Sequence, residues 1–178
     1  IDIVNMVKKS GSFFLRSPKA IKEIFDILLS MGFSETQARK VLRLSPNLLA
    51  SRYERINGNF SAIQSLGFSL EELRQMACKY PTLLGLTSVR ISQKLSNFRF
   101  HGIDWITVRA MTIKNPGAIL GNSVERAAKT LKWMAKNRIT FRGDNPNILF
   151  PRVEKMEERR LILEANGIEF RDHPHLFT

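Results

Sequence analysis

The chain has 178 residues, 43% of them hydrophobic, with 28 Lys and Arg against 16 Asp and Glu, a net charge of +12. That length holds a continuous core, no apolar run approaches the roughly 18 residues that span a bilayer, and a lone Cys78 excludes a disulfide framework and points to a reducing compartment. A positive surplus of this size in a folded chain serves a polyanion, nucleic acid above all, with solubility alone as the alternative.

In chain order, the sequence opens at Ile1 without methionine, which fits a trimmed targeting peptide and equally an arbitrary boundary. Gly11-Ser12-Phe13-Phe14-Leu15 stands 35 residues before Pro46, so the chain enters inside a repeat. Ile21, Ile24, Phe25 and Leu28 have helical spacing, and Gly32 ends that helix because it adopts the left-handed C′ conformation without penalty. Ser34 with Gln37 forms a capping box for a second helix, which stops before Pro46. Pro46-Asn47-Leu48-Leu49 then starts a short third helix of about one turn.

The pattern returns with a fixed period. Ile56, Phe60, Ile63 and Leu66 lead to Gly67-Phe68-Ser69, a Ser69–Glu72 capping box and Pro81-Thr82-Leu83-Leu84. It returns again as His101-Gly102-Ile103-Asp104 and Asn115-Pro116-Gly117-Ala118-Ile119-Leu120, with one inserted residue. Gly32, Gly67 and Gly102 are 35 residues apart, and so are Pro46, Pro81 and Pro116. Such a period predicts stacked repeats, each burying its apolar face against its neighbours. A fourth unit is degenerate: Arg138 replaces the glycine in Asn137-Arg138-Ile139-Thr140, and Pro146-Asn147-Ile148-Leu149 follows early. A last helix, Pro151 to about Asn166, ends at Gly167-Ile168.

The expected organisation is one domain of about four and a half three-helix units with no strand. It comprises a partial repeat over 1–17, repeats at about 18–50, 51–85, 86–121 and 122–150, and a terminal helix and tail over 151–178.

Position sharpens the charge argument. Twelve residues before successive turns stand Arg55, Arg90, Arg126 and Lys155; eight residues before them stand Asn59, Lys94, Thr130 and Arg159. Spacing of i,i+4 puts the two columns on one face of each first helix, and stacking would align equivalent faces into a stripe spaced for a phosphate backbone. Arg52, Lys129, Arg152 and Arg160 lie near the same ends and would thicken it. The first unit departs, with Ala20 and Ile24 in the two columns, and Glu54, Glu125 and Glu154 sit beside the arginines as alternative partners.

Other signals are weak. His101 adjoins a helix-ending glycine and reads as a partly buried or capping side chain; His173-Pro174-His175 lacks companion ligands at metal spacing. No phosphate-binding, dinucleotide or His-Glu-x-x-His motif is present. Cys78 has no adjacent base and reads as a buried structural thiol, and Trp105 and Trp133 read as core. The carboxylates are scattered at helix starts rather than paired for acid–base chemistry, so no catalytic residue, cofactor, metal or small-molecule substrate is expected.

A unit of about 35 residues with Leu-Gly-Phe-Ser, a helix, Pro-x-Leu-Leu and a following basic helix resembles the mitochondrial transcription termination factor (mTERF) family. The resemblance is close over Gly32–Leu49 and Gly67–Leu84, and looser over Gly102–Leu120. It implies an all-α, right-handed α-solenoid of three-helix repeats, curved with a basic concave face. It also implies residence in mitochondria, with chloroplasts as the alternative, and a non-enzymatic role on nucleic acid. By repeat position it places Arg55, Arg90, Lys94, Arg126, Lys129, Lys155 and Arg159 at the nucleic-acid-binding face.

Two partners fit: structured RNA, ribosomal RNA in particular, for a ribosome component or assembly factor, and duplex DNA for a transcription termination factor. About four basic positions grip a backbone and read little sequence, and no helix looks dedicated to a major groove, which favours RNA. Family members that encircle a duplex generally have more repeats than this. From another class, the chain would be a protein-interaction scaffold for ribosomal or other organellar proteins, with the degenerate last repeat and the Arg171–Phe177 tail as contact surfaces.

Overall fold

Glycine and proline punctuate the chain where the local chemistry requires. The computed structural model describes residues 18–51, 53–141, 143 and 145–169. The expected partial repeat 1–17, Arg52 and the tail 171–178 lie outside them.

Among the described residues every regular element is helical. The first helices of the units are α1 (Pro18–Ser30), α3 (Tyr53–Gln64), α5 (Ser88–Phe100), α8 (Val124–Lys136) and α9 (Val153–Ala165). Second helices are α2 (Glu35–Leu44), α4 (Leu70–Lys79) and α6 (Trp105–Lys114). The third element is a short 3-10 turn at Pro46–Ala50, Pro81–Gly85 and Pro146–Leu149, and an α-helix, α7 (Pro116–Gly121), in the unit with the inserted residue. That extra residue lengthens the element to a full turn and a half, and the Asn115 side chain caps it by accepting from the Ala118 N–H at 3.1 Å.

The turn between first and second helices uses one left-handed residue. Gly32 has φ +81°, and at the degenerate unit Arg138 adopts φ +58°. The register therefore imposes the conformation even where glycine is lost, at a cost of roughly 1–2 kcal/mol. A Cβ at Gly32 would lie 2.6 Å from Nη1 of Arg74, which donates to the Met31 carbonyl at 3.5 Å, but that flexible side chain can swing aside, so the positive φ is what calls for glycine. The second helices then start as expected. Ser34 Oγ accepts from Gln37 N–H at 3.2 Å and Gln37 Oε1 from Ser34 N–H at 2.9 Å; Ser69 and Glu72 repeat the pair at 3.2 and 2.8 Å. Asp104 accepts from both the backbone N–H (2.9 Å) and hydroxyl (2.6 Å) of Thr107, which hold its carboxyl below the usual range.

Packing divides the chain into two compact units, Ile1–Ser92 and Gln93–Thr178. In the first, α3 packs on α4 within one repeat, while α2 packs on α4 and the Pro46 turn on the Pro81 turn, so like elements of successive repeats stack. Leu28, Ile56, Ile63, Leu73 and Met76 are fully buried there, and Phe33 packs on Phe60 with ring centroids 6.2 Å apart. In the second, α6 packs on α7, and α8 on both α9 and the Pro146 turn. Leu95, Phe98, Met111, Leu149 and Met156 form its core. No helix among the described residues is long and apolar enough to cross a membrane.

Candidate nucleic-acid interface

The two columns that the sequence puts on one helix face have different surroundings. At the outer position, nearer the start of each first helix, Arg55, Arg90, Arg126 and Lys155 are all exposed. Arg126 is followed by exposed Lys129, and Arg152 is exposed at the N-cap of α9. Arg55 is tethered as well as exposed, its Nη2 donating to the Gly85 carbonyl at 3.1 Å.

One turn further along, the inner column points inward. Ile24 is 5% exposed, Asn59 9% and Thr130 0%, while Lys94 is half-buried. Asn59, Thr130 and Lys94 each reach a carbonyl at or just beyond the end of the short third element that follows. Asn59 Nδ2 donates to Leu84 O at 3.4 Å, Thr130 Oγ1 to Pro151 O at 3.5 Å, and Lys94 Nζ to Leu120 O at 2.5 Å and Asn122 O at 2.7 Å. The last carbonyls of a helix have no partner inside it, and a buried orphan is costly, so a donor from the first helix latches the unit shut. Lys94 adds a cation at the negative end of α7. Arg159, in the same column of α9, is exposed.

Of the carboxylates beside the track, Glu125 is engaged locally. Glu125 accepts the Ser123 hydroxyl, which, more than the nearby Lys94 ammonium, lowers its pKa. Arg160, expected to thicken the track, is instead clamped between Glu157 (2.6 Å) and Glu164 (2.7 Å), which push its pKa up, and its charge is offset. Glu157 also accepts from Trp133 Nε1 at 2.8 Å; Arg160 and this indole hold its pKa down.

Three readings of single residues change or sharpen. Cys78 is half-buried rather than buried, and burial pushes its thiol pKa up. Trp133 is core at 8% exposure, whereas Trp105 is half-buried with the Arg99 guanidinium 6.0 Å from its ring. His101 is half-buried, edge-on to the exposed Phe100 at 5.4 Å. Among the described residues no three metal-ligating side chains converge. Arg39, Arg74 and Arg109 recur 35 residues apart on the second helices, a spacing that a reading of first helices alone missed, and Arg39 and Arg74 are paired with Glu35 and Glu71.

No curated protein matches the chain. The family model described as mTERF matches residues 1–98, more than half the length and the stretch that carries the two most regular units, so the chain belongs to the mTERF family.

Proposed function

We propose that this protein is a non-enzymatic factor of organellar gene expression that grips the phosphate backbone of structured RNA, ribosomal RNA above all. The mTERF family consists of nucleic-acid-binding factors of organellar gene expression, typically mitochondrial or chloroplast and generally without enzymatic activity. The observation that carries the reading is the outer column: each of four first helices exposes a cation at one repeat position, Arg55, Arg90, Arg126 and Lys155. With a net charge of +12, that favours backbone contact. Lys129 and Arg159 extend it, while Lys94 contributes its field and holds its own unit together.

The test is a salt titration with competition. Four to six phosphate contacts give a slope of log affinity against log salt of roughly −3 to −5. Duplex DNA at equal nucleotide concentration and physiological salt is expected not to displace the protein from ribosomal RNA. Displacement would reassign it to DNA and transcription control. Absence of affinity for either nucleic acid at low salt would end the reading.

A further inference from the structure

The second helices of the first unit form a basic feature separate from the outer column. Between α2 and α4 runs an open groove of about 550 Å³ lined by Thr36, Gln37, Arg39, Lys40, Arg43 and Cys78. Three cations and no carboxylate line it. Arg39, Lys40 and Arg43 are exposed along one stretch of α2, and Arg39 and Arg43 stand one turn apart, a Cβ spacing of about 5–6 Å. Arg39 is held in place from outside the groove, 3.2 Å from Glu35 and 5.5 Å from the centre of the Phe25 ring. Glu35 offsets one charge, so the groove keeps a surplus of two. From the α4 wall, the Cys78 thiol feels the Lys40 ammonium, which acts against the effect of burial on its pKa. A concave surface of one sign focuses its field where a convex helix face would disperse it.

Hydrogen-bonding capacity selects the occupant. Arg and Lys donate and cannot accept. Gln37 has its carbonyl oxygen engaged by Ser34 N–H at 2.9 Å, which leaves the amide N–H groups to face a ligand. An acidic peptide would bring backbone N–H groups needing acceptors that this lining hardly offers. A phosphodiester backbone brings acceptors, and guanidinium groups bind its oxygens in pairs.

We propose that the α2–α4 groove is a second nucleic-acid site, taking the phosphate backbone of a segment other than the one held by the first helices, so that one molecule holds two segments. The inference rests on the nucleic-acid reading above for the class of polyanion, and on the groove alone for the second site.

Cys78 is the chain's only cysteine, which supplies the probe. Maleimide labelling of Cys78 is followed in the full chain with and without a short structured RNA, alongside the binding stoichiometry. Saturating RNA is expected to slow labelling several-fold and to bind two per protein. R39Q/K40Q/R43Q, three exposed positions that leave the core untouched, is expected to abolish protection and reduce binding to one RNA, with unchanged melting. R90Q/R126Q is expected to weaken binding and keep the protection. Unchanged labelling with RNA bound one to one overturns the second site and leaves the first-helix reading intact. Protection that survives the triple substitution overturns it too, as does protection by a poly-glutamate peptide and not by RNA, which would assign the groove to an acidic protein. A wild-type protein that binds no RNA at all would instead fail the first reading and take this one with it.

Discussion

Arg126 and Thr130 lie four residues apart on α8, yet the arginine is exposed and the threonine is wholly buried against the Pro151 carbonyl. The same division separates Arg55 from Asn59 on α3 and Arg90 from Lys94 on α5. Both members of each pair share a helix face, but the inner member is drawn in to carbonyls at or beyond the short third element, whereas the outer one stays exposed even where, as at Arg55, it donates to the Gly85 carbonyl. Recurrence in register thus has two origins. At the inner position the repeated need is to satisfy carbonyls at a helix end, which a lysine, an asparagine or a threonine can each do. At the outer position no carbonyl set demands a cation in every unit, and four appear.

Breaking the inner member should have the largest effect on stability. Lys94→Met removes two charge-assisted hydrogen bonds and strips the end of α7 of its donor, an expected loss of about 2–3 kcal/mol in chemical denaturation. A loss below about 0.5 kcal/mol would show that the ammonium is no latch. Thr130→Val and Asn59→Ala each delete one long neutral bond, and each should cost about 1 kcal/mol.

Acid sharpens the contrast, because the hydroxyl and amide of the inner column do not titrate. Glu71, Asp104, Glu125 and Glu157 are held below their ordinary pKa by hydrogen bonds from Arg74, Thr107, Ser123 and Arg160. Carboxylates depressed in the folded state contribute stability that is complete above their unfolded pKa and lost as pH falls through the folded one. Melting temperature is therefore expected to hold at neutral pH and to drop once pH falls below the usual carboxylate range. Glu157→Gln should flatten that drop; an unchanged profile would place the acid sensitivity elsewhere.

The outer column should show the smallest effect on folding. Arg90→Gln with Arg126→Gln is expected to change stability by less than about 0.5 kcal/mol while making the salt slope shallower by roughly two. A shift of stability comparable to that of Lys94→Met would erase the distinction between the columns.

Much of the fold is local chemistry and could be read in the chain. Gly32 and Gly67 end helices, Ser34 and Ser69 cap them, Pro46 and Pro81 stop them, and each interaction spans only a few residues. Even the loss of glycine at Arg138 was legible, since the repeat, lengthened by its one inserted residue to 36 from Gly102, marked where a left-handed residue had to fall. The basic register, too, was written in the sequence. Its division into exposed and latched positions was not, because i,i+4 spacing fixes a shared azimuth and says nothing of what covers each turn. The mixture of Ile24, Asn59 and Thr130 with one lysine was the available hint of burial. The pairing of Arg160 with Glu157 and Glu164 is local to one helix and follows from i,i+3 and i,i+4 spacing. Tertiary packing alone decided that Cys78 reaches a groove and that Arg39, Lys40 and Arg43 line it. Those outcomes depend on which helix packs beside which, and a helix's own residues do not specify the neighbour that completes a site.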